Sequence, residues 1–200
     1  MARRADLVGL TVLAMLTVRA SHPYELHRLI VDTHKDYVTG LPRSLYHAVE
    51  RLAGEELIAP VETVREGRRP ERTVYEITGE GRRELATRLR TLLETPGPDR
   101  RTFTAAVSLV GVLPLPEALR SLRTRAAALE GTLAGTDGHL GAMRESGLPD
   151  LLMIELDYER TLTGAELDWV RALIARLESG ELDWSSTTDP GLLKQLLGEP

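Results

Sequence analysis

The sequence predicts a mainly α-helical chain: an N-terminal winged helix-turn-helix followed by a C-terminal α-helical, coiled-coil-like region. Three observations carry this. Residues 7–55 hold three helical periodicities separated by turns, and two strand-like runs, 57–64 and 73–77, follow with a polar loop between them. Thr95-Pro96-Gly97-Pro98-Asp99 then interrupts the chain, because two prolines and a glycine end any helix. Beyond it, Leu119, Leu122, Ala126, Leu129, Leu133, Thr136, Leu140 and Met143 recur at alternating spacings of three and four, the signature of a heptad seam.

Each element has its own local reason. Leu7, Leu10, Leu13 and Ala14 through Thr17 follow a helical period and give the first helix. Ser21 is placed to cap a second, over about 24–36, with Leu26, Leu29 and Ile30 on its buried face. Thr39-Gly40 turns the chain, and Pro42 suits the first turn of a third helix ending near Glu55. Thr78 caps a fourth, 80–93, despite Gly79 and Gly81 in its first turn. In the seam, Gly131, Gly135, Gly138 and Gly141 each cost roughly 0.8–1 kcal/mol relative to Ala, so a bend or break is expected near 135–138. A last helix carries Leu151, Ile154, Tyr158, Leu162, Ala165, Trp169, Leu173 and Leu177 on one stripe. The tail from Gly180 reads as loop, with a short turn over 192–197. The expected division is a winged domain over 1–95, a linker over 96–100, a helical domain over 101–180 and a tail over 181–200.

Composition narrows the function. The 200 residues carry a formal charge of −5, split as +1 over 1–95 and −6 over 96–200. Cysteine is absent, which excludes disulfides, thiolate zinc sites, iron–sulfur clusters and cysteine nucleophiles, and suits a reducing compartment. With eight aromatic residues, packing falls to leucine. Arg3-Arg4 before the apolar stretch 7–18, with Val18-Arg19-Ala20 after it, has the outline of a secretory signal. Asp6 abuts that stretch, and the fold needs it as a first helix, so a cytoplasmic protein is expected. No run approaches the ~18 apolar residues of a membrane span. His22, His27, His34, His47 and His139 show no metal-binding spacing, and neither a phosphate loop nor a G-x-S-x-G elbow is present. The expectation is no enzyme and no cofactor.

The third helix is where chemistry concentrates. Leu45, Val49 and Leu52 share one side with Ala48 beside them, whereas Arg43, His47, Glu50 and Arg51 point away, with Ser44 and Tyr46 on the flanks. An α-helix fits the DNA major groove, where Arg pairs bidentately with guanine and hydroxyls or imidazoles meet bases and phosphates. A solvated surface helix would show the same pattern. The loop 65–72 places Arg65, Arg68, Arg69 and Arg72 against Glu66 and Glu71, a local excess of +2 in an acidic chain. Such an excess fits phosphate or minor-groove contact, although a polar hairpin tip is also an ordinary loop.

These stretches resemble the PadR-like transcriptional regulators. Leu41-Pro42-Arg43-Ser44-Leu45-Tyr46-His47-Ala48-Val49-Glu50-Arg51-Leu52, then Glu55-Glu56-Leu57-Ile58, resembles their recognition helix and first strand. His22-Pro23-Tyr24-Glu25-Leu26 is similar to their second-helix entry; Gly67-Arg68-Arg69-Pro70, Tyr75-Glu76-Ile77-Thr78 and Gly81-Arg82 are similar to their wing and fourth helix. The likeness is specific over about 7–90 and looser over 101–180, where it is similar to the subgroup with a longer helical C-terminal domain that dimerises. The chain departs from the pattern at Arg43-Ser44-Leu45-Tyr46-His47, where members usually have Gly-Thr-Leu-Tyr-Pro. Pro23 stands for the Gly before Tyr24, and Glu56 for the Gly before Leu57, so Glu56 lacks the easy left-handed conformation and is expected to shift how the helix ends. The resemblance implies a homodimeric repressor of double-stranded DNA at a pseudo-palindromic operator. The candidate DNA contacts are Tyr24, Arg43, Ser44, Tyr46, His47, Arg51, Arg65, Arg68, Arg69 and Arg72.

Leu119, Leu122, Ala126, Leu129, Leu133, Leu162, Trp169 and Leu173 offer apolar surface for dimerisation, and equally for an internal core. Some relatives bind aromatic or drug-like molecules at the dimer interface. By that likeness Phe103, Tyr158, Trp169 and Trp184 are candidates to line a pocket for a small hydrophobic or aromatic effector, or else pack in the core. The competing function is a winged-helix protein-interaction module without specific DNA binding.

Overall fold

The computed structural model describes residues 6–35, 37–64 and 72–185. Helices α1 (Leu7–Leu16), α2 (Pro23–Asp32) and α3 (Arg43–Gly54) lead into strands β1 (Ile58–Val64) and β2 (Arg72–Ile77). Then come α4 (Gly79–Glu94), α5 (Arg100–Ser108), α6 (Leu115–Glu145) and α7 (Ile154–Glu178), with single 3-10 turns at Val110–Val112 and Asp150–Met153. The chain is mainly α and carries the winged helix-turn-helix expected of it.

β1 and β2 form an antiparallel hairpin with Ile58 opposite Ile77 and a register shift between Pro60 and Glu62. Ser21 adds a one-residue third strand: its N–H donates to the Tyr75 carbonyl at 3.0 Å and its carbonyl accepts from Tyr75 N–H at 3.1 Å. That bridge corrects the expected cap. Ser21 belongs to the sheet, and His22 caps α2 by accepting from the Tyr24 N–H at 3.1 Å, while Glu25 accepts from the His22 N–H at 3.0 Å. The second helix also stops at Asp32, before a left-handed His34 (φ 50°).

α4 starts against the hairpin, where the Thr78 hydroxyl accepts from the Gly81 N–H at 3.0 Å, and ends beside α6. Its stripe Leu85, Leu89 and Leu93 is fully buried. α6 and α7 run antiparallel, as the pairs Arg123–Glu178, Glu130–Arg171 and Asp137–Arg160 record. The expected break near 135–138 is absent: α6 is one 31-residue helix. Gly131, Gly135 and Gly138 are exposed on it with open space around each, so they weaken the helix without interrupting it, and packing on α7 supplies the support. A further helix, α5, opens the region expected to be helical from 101, where no individual helix was assigned before Leu119. One apolar core runs from Leu10 to Leu177, across the expected boundary at 95–99.

Candidate nucleic-acid interface

α3 is held by its apolar side. Leu45, Ala48, Val49 and Leu52 are buried, and α3 packs on α1, α2 and β1. The preceding loop anchors its approach: Tyr37 and Val38 are buried, the Lys35 ammonium donates to Ser108 Oγ at 2.7 Å, and the Tyr37 hydroxyl lies 3.4 Å from the same atom. Burial lowers the Lys35 pKa and raises that of the Tyr37 phenol. Ser44 does not reach outward freely, because its hydroxyl donates to the Thr39 carbonyl at 3.0 Å and so pins the first turn of α3 to the loop.

The opposite face is open. Arg43, Tyr46, His47 and Glu50 are exposed, and His47 Nδ1 lies 3.7 Å from a Glu50 carboxylate oxygen. Tyr24, at the start of α2, is 59% exposed. Arg51 is engaged by acidic partners within the chain. Its guanidinium pairs with Asp6, the cap of α1, and with Glu55 at 3.3 Å, and is about one-third exposed. Gly9 gives room for the first pair: a Cβ there would meet Arg51 Nη2 at 2.7 Å. Arg51 therefore ties α3 to α1. After α3, Glu56 adopts the left-handed conformation at φ 58°, so the helix ends as a glycine would end it. The Thr78 hydroxyl lies 2.9 Å from the Glu56 carbonyl and 3.1 Å from that of Leu57.

The hairpin directly follows this turn. Arg65, Arg68 and Arg69 lie outside the described residues, as does the side chain of Arg72 at the start of β2. At the base of the hairpin Ile58 and Ile77 face each other and are buried.

In the helical half, Leu122, Ala126 and Leu129 are buried within the single chain, and Leu119, Leu133 and Leu173 pack partly against the same core. Leu162 lines a cleft of about 270 Å³ beside the linker, between Pro96–Pro98, α6 and α7. Trp169 remains 48% exposed. The aromatic candidates do not gather into one cavity. Phe103 meets Trp169 edge-to-face, with centroids 5.9 Å apart, and one of its faces is covered by the Arg125 guanidinium at 3.7 Å. Tyr158 lies eleven residues before Trp169 on α7, about 16 Å away along the axis. Trp184 donates to the Leu113 carbonyl at 3.3 Å.

The burial of one charged side chain and the exposure of part of the last apolar stripe were not expected from the sequence. Arg125 is 2% exposed, a guanidinium in the core. Leu151, Leu152 and Ile154, at the α6–α7 turn, are 74%, 58% and 59% exposed, more than a solvated helix end requires. Among the described residues no three His, Asp or Glu side chains gather as a metal site would need, and no helix is long and apolar enough to cross a membrane.

Helix α3 with one face buried and the other open, braced by a hairpin and α4, defines a winged-helix protein. Residues 12–87, which span α3, the hairpin and the first part of α4, match the Transcriptional regulator PadR-like family. Over that segment the chain is similar to the PadR-like transcriptional regulators. Among solved structures it is similar to Bacillus subtilis PadR in complex with operator DNA, at 15% identity over 88% of this chain and 99% of that one (TM-score 0.42). It is also similar to a PadR-like transcriptional regulator of Bacillus cereus, at 19% identity over 86% of this chain and 98% of that one (TM-score 0.37). No curated protein matches the chain as a sequence relative.

Proposed function

We propose that this chain is a homodimeric repressor that reads a pseudo-palindromic operator by laying α3 in the major groove. The observation that carries the reading is the open face of α3, with Arg43, Tyr46 and His47 exposed while the reverse face is sealed into the core. Arg43 and His47 then read base edges, Tyr24 and Tyr46 contact the backbone, and Ser44 contributes by pinning the first turn of α3. The arginines of loop 65–72 meet phosphates or the minor groove beside it. Arg51 contributes by fixing α3 to α1.

The second copy docks on the exposed apolar surface of Leu151, Leu152, Ile154, Tyr158 and Trp169. Two recognition helices related by a two-fold axis would meet half-sites about 34–36 Å apart or a multiple of it. An aromatic effector would enter at the same surface, where Tyr158 and the free part of Trp169 are available.

The test is fluorescence anisotropy against DNA from upstream of the coding region, with an unrelated duplex as competitor, at two salt concentrations. Specific binding with log K falling by roughly 0.9 per neutralised phosphate supports the reading. Affinity equal to the competitor's for this and for other genomic fragments would refute it in favour of a protein-interaction module.

A further inference from the structure

A guanidinium in a protein core is costly unless each of its donors is met. Arg125 meets them on two neighbouring helices and stacks on a third. Its Nε and Nη2 both face one oxygen of Glu166 of α7, Oε1, at 2.7 and 2.6 Å. Its Nη1 donates to the carbonyls of Leu92, Leu93 and Thr95 at 3.3, 3.3 and 3.0 Å. Its flat face covers Phe103 of α5. The three carbonyls end α4, where unpaired C=O groups and the helix dipole favour a cation.

Arg125 is also the last rung of a ladder between α4 and α6. Arg90 pairs with Glu117 at 2.8 Å, and the Ser121 hydroxyl donates to Glu94 at 2.8 Å. Residues 117, 121 and 125 share one stripe of α6 at intervals of four. The Arg90–Glu117 rung is about one-third exposed, and neither of the first two reaches α5 or α7. The third is buried and joins all four helices. Apolar contact alone would let α4 slide or roll on α6, whereas a planar guanidinium with one edge on a Glu166 oxygen and Nη1 on the carbonyls ending α4 ties α6 to both neighbours at once.

We propose that Arg125 is the positioning residue of this joint: it holds α4, and the winged helix built on α4, at one angle to α6 and α7. In the dimer that angle fixes which half-site spacing the two copies accept. This second part rests on the operator reading above.

The absence of cysteine makes the joint directly measurable. Gly54→Cys on α3 and Gly135→Cys on α6 both add side chains into open space, and carry spin labels on the two sides of the joint. The labelled chain is diluted into unlabelled protein so that only distances within one chain are read. The parent should give one narrow distance. Arg125→Lys, which loses the fork, and Glu166→Gln, which loses the charge, should each broaden it at least twofold. Leu129→Ala thins the same core and serves as control: it should lower the melting temperature and leave the width unchanged. Operators with the spacer changed by one base pair, which turns one half-site by about 34°, should bind the parent at least tenfold more weakly and Arg125→Lys no more than threefold more weakly.

Unchanged distance widths in both variants would overturn the proposal, as would a broadening that Leu129→Ala shares. A parent-like spacing penalty in Arg125→Lys would overturn its second part. If the parent binds no DNA, the operator reading falls and takes the spacing claim with it. The distance measurement still decides whether Arg125 fixes the joint.

Discussion

Replacing Gly81 with Ala and replacing Gly135 with Ala should move stability in opposite directions. Both residues are helical, so propensity alone predicts a gain of about 0.8–1 kcal/mol for each. At Gly135 nothing lies within 4 Å of the added carbon, and the gain should appear in full, as ~2–4 °C in Tm for a chain of this size. At Gly81 the added carbon would overlap the Leu57 carbonyl oxygen, and would lie 2.9 Å from Ile77 Cγ1 and 3.0 Å from the Leu57 carbonyl carbon. Two of those three atoms are backbone and cannot rotate away. Either β1 or the first turn of α4 must shift, and the same turn holds the Thr78 cap. Overpacking costs of 1–3 kcal/mol apply, at the upper end because backbone must move, so a net loss of about 2 kcal/mol or ~4–8 °C is expected. Thermal melts followed by circular dichroism on the two single variants suffice. A Gly81→Ala protein as stable as its parent would refute the close approach of α4 to β1.

Glu56 holds a left-handed conformation that costs a non-glycine residue about 1–2 kcal/mol, partly offset by glycine's looser unfolded chain; Glu56→Gly should therefore gain about 0.5–1 kcal/mol in denaturant titration. Arg51→Ala should cost about 1 kcal/mol or less, since its ion pairs are part-exposed, and should leave base preference intact, whereas Arg43→Ala should do the reverse; selection from a randomised operator reads the difference. Arg68→Ala with Arg69→Ala should weaken binding to all sequences and reduce the salt slope by about 1.8. Ile154→Ser with Trp169→Ala should raise the dimer dissociation constant roughly a hundredfold by sedimentation, at about 1.4 kcal/mol for each tenfold.

What the sequence made legible was periodic and local. The sealed face of α3 followed from Leu45, Val49 and Leu52, the hairpin from its two β-branched runs, and the Thr78 cap from its position before a helical pattern. What escaped depends on partners far away in the chain. Ser21 looks like a cap until Tyr75 takes its backbone into the sheet, which leaves the task to His22. The glycines of α6 look like a break until α7 runs alongside. Glu56 was expected to disturb the end of α3 and instead takes the glycine conformation, because Leu57 and Thr78 around it fix the backbone path. Arg51 looked like one more outward cation, since its partner Asp6 is 45 residues away. Arg125 did leave a signal. It falls between Leu122 and Leu129 at intervals of three and four, a charged residue in the middle of an apolar seam.

The uninterrupted core has a consequence for anyone who would exchange parts of this chain. The proline-rich stretch at 96–98 looks like a natural seam for grafting the reading head onto another body. Yet α4, on the near side of that seam, carries Leu85, Leu89 and Leu93 fully covered, and it rests on α5 and α6 as well as on α1. A graft cut there would carry one half of a shared wall and leave the other behind. A working chimera should instead keep α4 through α6 as one piece and place its junction ahead of Thr78.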